Sequence, residues 1–304
     1  MTERAQTKGR KEFPLSFAKM AGAGNDFVVI DHREPRLSDP ADFSRRICTR
    51  ALSVGADGLV LIEKSESASF RMRYFNSDGS LGEFCGNGTR CAARFASLEK
   101  IADNTMTIET DSGVVTAQVG DDGSVTISLP APRDFRRDRR LEINGRPVDG
   151  SSIVVGVPHY VTFVRDDLWS RPIVPTGRAI RQHRELRPAG ANVNFVSVRD
   201  SRSIDIRTYE RGVEAETMAC GSGIVASVSV AALTGKVKSP VKVTTRSGAT
   251  LEVSFALDGA EMRDVRLKGD ARLVYRGTTT AETTEGFDPD FVRDPASAKI
   301  VSAR

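Results

Sequence analysis

The chain has 304 residues, 39% of them hydrophobic, enough to bury a sizeable core and long enough to favour two domains over one. Its 44 Lys and Arg against 40 Asp and Glu leave a formal charge of +4, with no long basic block interleaved with aromatics; this excludes the usual footprint of a nucleic-acid binder and favours a small polar partner. Residues 1–12, "MTERAQTKGRKE", lack the apolar core of a secretory signal, and no stretch approaches the roughly 18 apolar residues of a membrane span, so a cytoplasmic protein with no membrane partner is expected.

After that polar N-terminal tail, "GAGND" at 22–26 reads either as a glycine turn or as a turn that aims an amide, Asn25, into a site. "FVVID" follows as a strand, and "PADFSRRICTRAL" begins a helix on Pro40 after Ser-Asp. A second strand lies in "GADGLVLIE" at 55–63, and "FRMRYF" alternates as a third. It leads through "YFNSDG", with Asn76, to a corner "FCGNGTRCA" at 84–92, which opens the helix "GTRCAARFASLEK". Further on come the strand "YVTFVRD", the helix "PTGRAIRQHREL", the strands "GANVNFVSV" and "IDIRTY", and "YERG" with Glu210 and Arg211. A second corner, "ACGSG" at 219–223, opens the helix "SGIVASVSVAALTG", which is apolar almost all round and so belongs inside its domain. Residues 278–304 are polar without sustained periodicity and read as a flexible or surface-draped tail.

The order of elements repeats. At an offset of 135 residues, the separation of Cys85 and Cys220, Tyr74 lies on Tyr209, Gly86 on Gly221, Gly88 on Gly223, and Thr110, Ser112 and Gly113 on Thr245, Ser247 and Gly248. One shift that holds from residue 31 to residue 113 points to two tandem copies of a domain. The expected fold is α+β: two pseudo-symmetric domains, each of mainly antiparallel strands wrapped around a central helix, with an active site in the cleft between them. The first is placed at 13–148, with a returning strand at 270–277, and the second at 149–269.

Four cysteines occur, Cys48, Cys85, Cys91 and Cys220, none in a C-x-x-C pair, and His32, His159 and His183 lie far apart, so neither a metal site nor a cofactor is expected. A cysteine at a helix start sits beside unpaired backbone N–H groups and the positive end of the helix dipole, which favours thiolate. The same N–H groups can hold a carboxylate, and glycines let it approach. If the two corners flank one ligand, one sulfur can take a proton from the carbon beside that carboxylate while the other delivers one to its opposite face, inverting the centre. Packed structural thiols are the expected role of Cys48 and Cys91. A redox switch between Cys85 and Cys220, or an amino-acid binding module without turnover, are the competing readings.

In "KMAGAGNDFVVID", "YFNSDGSLGEFCGNGTRCAARF", "ANVNFVSV" and "YERGVEAETMACGSG" the chain resembles the diaminopimelate epimerases, over about residues 15–277. The resemblance implies a pyridoxal-independent, two-domain enzyme, a cytoplasmic homodimer of lysine and peptidoglycan precursor biosynthesis that interconverts LL- and meso-2,6-diaminopimelate. It makes Cys85 and Cys220 the acid/base pair and has Gly86, Asn87, Gly221 and Ser222 hold the reacting end. Asn25, Asn76, Asn192, Glu210 and Arg211 match other substrate contacts, His159 and Glu210 match residues that support catalysis, and Tyr275 matches a dimer-interface tyrosine. The chain departs from the family at Val157, where many members carry asparagine, and at Gly58, where some carry glutamine. A racemase of histidine or of a proline derivative is the alternative activity.

Overall fold

The computed structural model describes residues 13–82, 84–259 and 261–293. Within them the chain forms two compact units, one from 13–21, 25–114 and 272–293, the other from 22–24 and 115–271.

The first unit begins with β1 (Ser16–Gly22), β2 (Asn25–Asp31), α1 (Pro40–Ile47), β3 (Gly58–Glu63), β4 (Phe70–Asn76), β5 (Leu81–Gly82), α2 (Gly86–Leu98) and β6 (Thr105–Thr110). β2 and β3 pair in parallel from Phe27↔Gly58, β3 and β4 pair antiparallel, and β4 pairs in parallel with β6. Helix α1 starts as its sequence dictates: Asp39 accepts the Asp42 N–H at 3.0 Å and Pro40 supplies a preset φ. It stops at Ile47, short of the expected Leu52, and Ala51 beyond it has φ +69°.

The second unit comprises β7 (Gly113–Val119), β8 (Val125–Ser128), β9 (Arg133–Ile143), β10 (Arg146–Val155), β11 (Val157–Phe163), α3 (Ile173–Arg181), β12 (Asn192–Asp200), β13 (Ser203–Glu210), β14 (Ala215–Thr217), α4 (Gly221–Leu233), β15 (Val241–Thr244), β16 (Thr250–Asp258) and β17 (Glu261–Gly269). The repeat in the sequence is also a repeat of pairings: β11–β12 is parallel like β2–β3, β12–β13 antiparallel like β3–β4, and β13–β15 parallel like β4–β6. Helices α2 and α4 start at equivalent residues, Gly86 and Gly221. All residues of α4 from Gly223 to Ala232 are buried, against β10 to β13, β16 and β17. Burying each of Ile224, Val225, Val228 and Val230 contributes about 1.5–3 kcal/mol, which holds the helix and therefore its N-terminus in place.

Residues 115–148, assigned to the first domain on sequence grounds, pack in the second unit. The apolar face of β8 pairs with β17, Ile127 opposite Leu267, and Leu141 and Ile143 on β9 join a core with Tyr160, Ile173, Val193 and Tyr209. The homologous offset ends at the Ser-Gly turn of 112–113, and beyond it only these long-range pairings decide the allegiance of the chain. After β17 the chain returns to the first unit as β18 (Arg272–Thr278), antiparallel to β1 with Phe17 opposite Gly277. Beyond β18, Arg46 donates to the carbonyls of Thr284 and Phe287 at 3.1 and 3.2 Å, and Ser53 to that of Thr283 at 2.6 Å. Residues 1–12 and 294–304 lie outside the described residues.

Candidate active site

In the first unit Cys85 is the N-cap of α2, with extended backbone (φ −136°, ψ 104°), and its Sγ accepts the Gly88 N–H at 3.4 Å. A sulfur in that position receives both a backbone donor and the helix dipole, the arrangement that stabilises negative charge on it. One helical turn along, the fully buried Arg90 adds a fixed positive charge. With Met72, Tyr74, Phe84, Thr89 and Asp111, Cys85 lines a small cavity.

Arg90 also orders the amides of the corner. Its Nη2 donates to Asn87 Oδ1 at 2.8 Å, Asn87 Nδ2 to Asn25 Oδ1 at 2.7 Å, and Asn25 Nδ2 to Asp57 Oδ2 at 2.9 Å. Guanidinium can only donate and carboxylate can only accept, so the two ends fix the direction of both amides between them. Asp57 is held by Arg50 at 2.9 Å, and Arg50 also bonds Asp26. Burial pushes the Asp26 carboxyl up, but hydrogen bonds from Arg50 and Lys19 outweigh it and hold Asp26 ionised below the usual range. "GAGND" forms a turn: Gly24 has φ +96° and a Cβ there would meet Ser247 Cβ at 2.6 Å, while the next residue, Asn25, joins the amides of the corner.

In the second unit Cys220 is the N-cap of α4, again extended (φ −121°, ψ 110°), but its side chain caps no N–H of the helix. Its Sγ lies 3.5 Å from Ser222 Oγ. Glu210 ends β13, and burial raises its carboxyl above the ordinary value; the neighbouring Thr217 and Cys220 oppose the shift without cancelling it. A protonated Glu210 is a donor, an ionised one a base. The strand β14, which leads to the corner, is fixed by Arg207, bidentate to Glu216 at 2.7 and 2.6 Å.

His159, on β11, is 1% exposed, and burial drives its pKa down to about 3; the Val155 carbonyl opposes this and the charge of Arg211 adds to it. The ring is neutral across the physiological range. Asn192 is the register partner of His159, and its Oδ1 accepts the Arg211 N–H at 2.8 Å, which anchors the backbone of Arg211.

Thus Asn25, Gly86 and Asn87 gather at Cys85, and Asn192, Glu210, Arg211, Gly221 and Ser222 lie on the elements of the Cys220 corner. Asn76 stands apart from the amide chain, its Nδ2 bonded to Ser80 Oγ at 2.9 Å. Tyr275 lies on β18, edge-on to Phe17 with ring centres 6.0 Å apart. Gly58 has a physical reason: a Cβ there would come within 2.5 Å of Tyr74 Cε2 and 2.6 Å of the Phe75 carbonyl, so the Tyr74 ring occupies the space a larger side chain would need. Sequence reading missed Arg90, Asp57, Tyr74 and Asn194. Asn194 carries the clearest signal, a lone amide within the apolar run "VNFV" of a buried strand.

The fold is shared with a class of two-domain proteins that includes epimerases and racemases. A hydroxyproline epimerase from Agrobacterium vitis, solved with trans-4-hydroxy-L-proline, matches at TM-score 0.69 and 15% identity, covering 90% of this chain and 94% of that one. A Bacillus anthracis protein of the PhzF family matches at TM-score 0.67 and 16% identity, over 88% and 99%. Sequence narrows the class: the family model for diaminopimelate epimerase matches residues 17–132 and 151–274. The diaminopimelate epimerase of Aquifex aeolicus (strain VF5) is 42% identical over 282 residues, 89% of this chain and all of the relative. That of Archaeoglobus fulgidus is 38% identical over 277 residues, 86% and 95%. This chain belongs to the diaminopimelate epimerase family.

Proposed function

We propose that the protein interconverts LL- and meso-2,6-diaminopimelate by two-base proton transfer, one of Cys85 and Cys220 removing the α-proton and the other delivering a proton to the opposite face. The observation that carries this reading is the pair of equivalent corners, each with a cysteine as N-cap of a buried helix. A binding module needs only the helix N–H groups. A thiol at both corners is what inversion needs, because proton removal and proton delivery come from opposite sides.

The roles follow from the donors. Backbone N–H groups at Gly86, Asn87, Gly221 and Ser222 receive the reacting carboxylate and the negative charge that moves onto it as the α-proton leaves. Asn25, Asn76 and Asn192 supply amide contacts, Arg211 grips the distal carboxylate and Glu210 a substrate ammonium. His159 and Glu210 support the Cys220 corner. The proton transfers use the chain's own groups, with neither metal nor pyridoxal taking part. The same reading makes the protein a cytoplasmic homodimer, with Tyr275 at the interface, in lysine and peptidoglycan precursor biosynthesis.

The test uses purified protein without added metal or pyridoxal phosphate and offers it diaminopimelate, proline, hydroxyproline, histidine, lysine and glutamate. Diaminopimelate should be turned over fastest, and in heavy water the early product should carry solvent deuterium at the α-carbon. A clear preference for a monocarboxylic amino acid would replace the proposal with the racemase alternative.

A further inference from the structure

The turn that joins β13 to β14 begins at Glu210 and Arg211 and ends at Glu214, whose N–H closes it on the Glu210 carbonyl at 2.8 Å. The backbone of Glu214 is left-handed, with φ +56°; 135 residues earlier the repeat places Gly79, at φ +85°. Glycine takes that conformation freely and glutamate takes it under strain. A glutamate at this position needs side-chain contacts that offset the strain.

Its carboxylate takes donors from the loop, from β13 and from α3. Oε1 accepts the Gly212 N–H at 3.1 Å and Arg181 Nε at 3.2 Å, and Oε2 accepts the Tyr209 hydroxyl at 3.1 Å. That hydroxyl also lies 3.4 Å from Arg178 Nε; guanidinium only donates and carboxylate only accepts, so the hydroxyl receives from Arg178 and gives its own hydrogen to Glu214. Arg178 and Arg181 stand one turn apart at the end of α3, where the helix dipole favours cations. The helix is itself fixed, with Ile173 and Ile180 in the core and Gly177 so close to Tyr209 that a Cβ would lie 2.6 Å from the Cβ of Tyr209. The Gly212 N–H, then Tyr209 and Arg181, hold the Glu214 carboxyl below its ordinary value against a smaller opposing effect of burial.

The other side of the loop is tied down as well: the Arg211 N–H reaches Asn192 Oδ1 at 2.8 Å, and Arg211 Nη1 the Ala189 carbonyl at 3.2 Å. The Glu214 side chain is 42% exposed, so its ion pair with Arg181 alone is worth little, and the clamp depends on the three donors acting together. We infer that Glu214 is a positioning residue, whose carboxylate fastens the β13–β14 loop to α3 and so sets Glu210 and Arg211 for the far end of a diamino dicarboxylic substrate. On this assignment Glu214 touches no substrate and takes no part in proton transfer, and its removal falls on KM. The substrate half of the inference rests on the reading of the protein as a diaminopimelate epimerase, whereas the clamp is a property of the resting protein.

The experiment therefore has two arms, each on the full chain. Glu214→Gly removes the carboxylate and suits the left-handed backbone; Glu214→Gln keeps the size and one oxygen for Gly212 and Arg181 but sets an NH2 group against the Tyr209 hydroxyl. Without substrate, amide hydrogen exchange at Arg211, whose acceptor Asn192 neither substitution touches, should quicken roughly tenfold in Glu214→Gly and less in Glu214→Gln. In the diaminopimelate assay Glu214→Gly should raise KM roughly 3- to 10-fold, the scale of one or two net hydrogen bonds, with kcat within about twofold of wild type and Glu214→Gln between the two. Unchanged exchange at Arg211 in Glu214→Gly overturns the clamp. Faster exchange with an unchanged KM, or a loss that falls on kcat instead, overturns its part in substrate recognition. If the wild type turns over no diaminopimelate, the functional reading falls while the exchange rates still decide the clamp.

Discussion

The two cysteine corners share a backbone and differ in what surrounds it. At Cys85 the sulfur accepts an N–H, the buried Arg90 stands one turn away, and the amides of Asn87 and Asn25 are aligned by charge at both ends. At Cys220 the cysteine side chain caps no helix N–H, the neighbouring Glu210 has a carboxyl that burial has raised, and the imidazole on β11 is neutral. A duplicated domain therefore supplied two equal positions for sulfur, and later divergence made their electrostatics unequal. The first sets its sulfur beside a backbone donor and a buried guanidinium on the same helix, the second beside a hydroxyl and a carboxyl.

The largest effects should come from the sulfurs themselves. Cys85→Ala and Cys220→Ala should each lower kcat by about 10²–10⁴-fold, the usual contribution of a positioned acid or base. Near-wild-type turnover by either variant would sink the mechanism. Alkylation of the resting protein by iodoacetamide sharpens the comparison: peptide mapping should find Cys85 modified before Cys220. Equal rates would mean that the two environments do not set the sulfurs apart.

Next in size is a difference between two equivalent glycines. Gly223→Ala would drive a Cβ to 2.5 Å from Asn194 Oδ1, whose position Thr208 and His159 also constrain. Gly88→Ala would meet the flexible end of Met72 at 3.3 Å. The first should cost about 1–3 kcal/mol of stability by overpacking, measured by denaturant titration, and the second distinctly less. A Gly223→Ala protein as stable as Gly88→Ala would show that Asn194 is not fixed against α4.

The titratable groups of the Cys220 corner predict opposite trends with pH. The folded pKa of Glu210 is raised above 4.5, so its contribution to stability is whole below pH 4.5 and is lost as pH rises through the folded value. Glu210→Gln should therefore melt higher than wild type at pH 7, with the gap closing in acid. The folded pKa of His159 is depressed from 6.5 to about 3, so its contribution is present above pH 6.5 and is lost as pH falls towards 3. His159→Gln should flatten that acid limb by at most about 1.4 kcal/mol per pH unit, one proton's worth. Parallel curves for wild type and either variant would mean that the group is not buried as described.

How legible all this is from sequence depends on the range of the interactions. Strands β4 and β13, helices α2 and α4 and both corners are legible because glycines, alternation and the repeat are local signals, and the repeat doubles each of them. The membership of β8 in the second unit is not, since it depends on pairing with β17, far along the chain, and β9 joins the same unit through its hairpin with β10. The site divides in the same way. The cysteines announce themselves by their neighbours, whereas Asn194 and Tyr74 act across strands, and only packing shows that one fills the space over Gly223 and the other the space over Gly58.

The smallest expected effect concerns Val157, where the family resemblance leads one to expect an amide. Val157 is half-buried at the start of β11, just after Gly156 at φ +67°, and pairs with Val155. An asparagine there could add one hydrogen bond to the distal end of the substrate, worth about 0.5–1.5 kcal/mol, or roughly 2- to 12-fold in affinity. Arg211 remains in either case, and a charge-assisted contact with a carboxylate is about twice as strong as a neutral one. Val157→Asn should therefore lower KM for diaminopimelate within that range, leave kcat unchanged and leave the substrate preference where it was. A change of preference among the amino acids tested would mean that position 157, on the strand that carries His159, selects the substrate, and that the Cys220 corner differs from its twin in specificity as well as in charge.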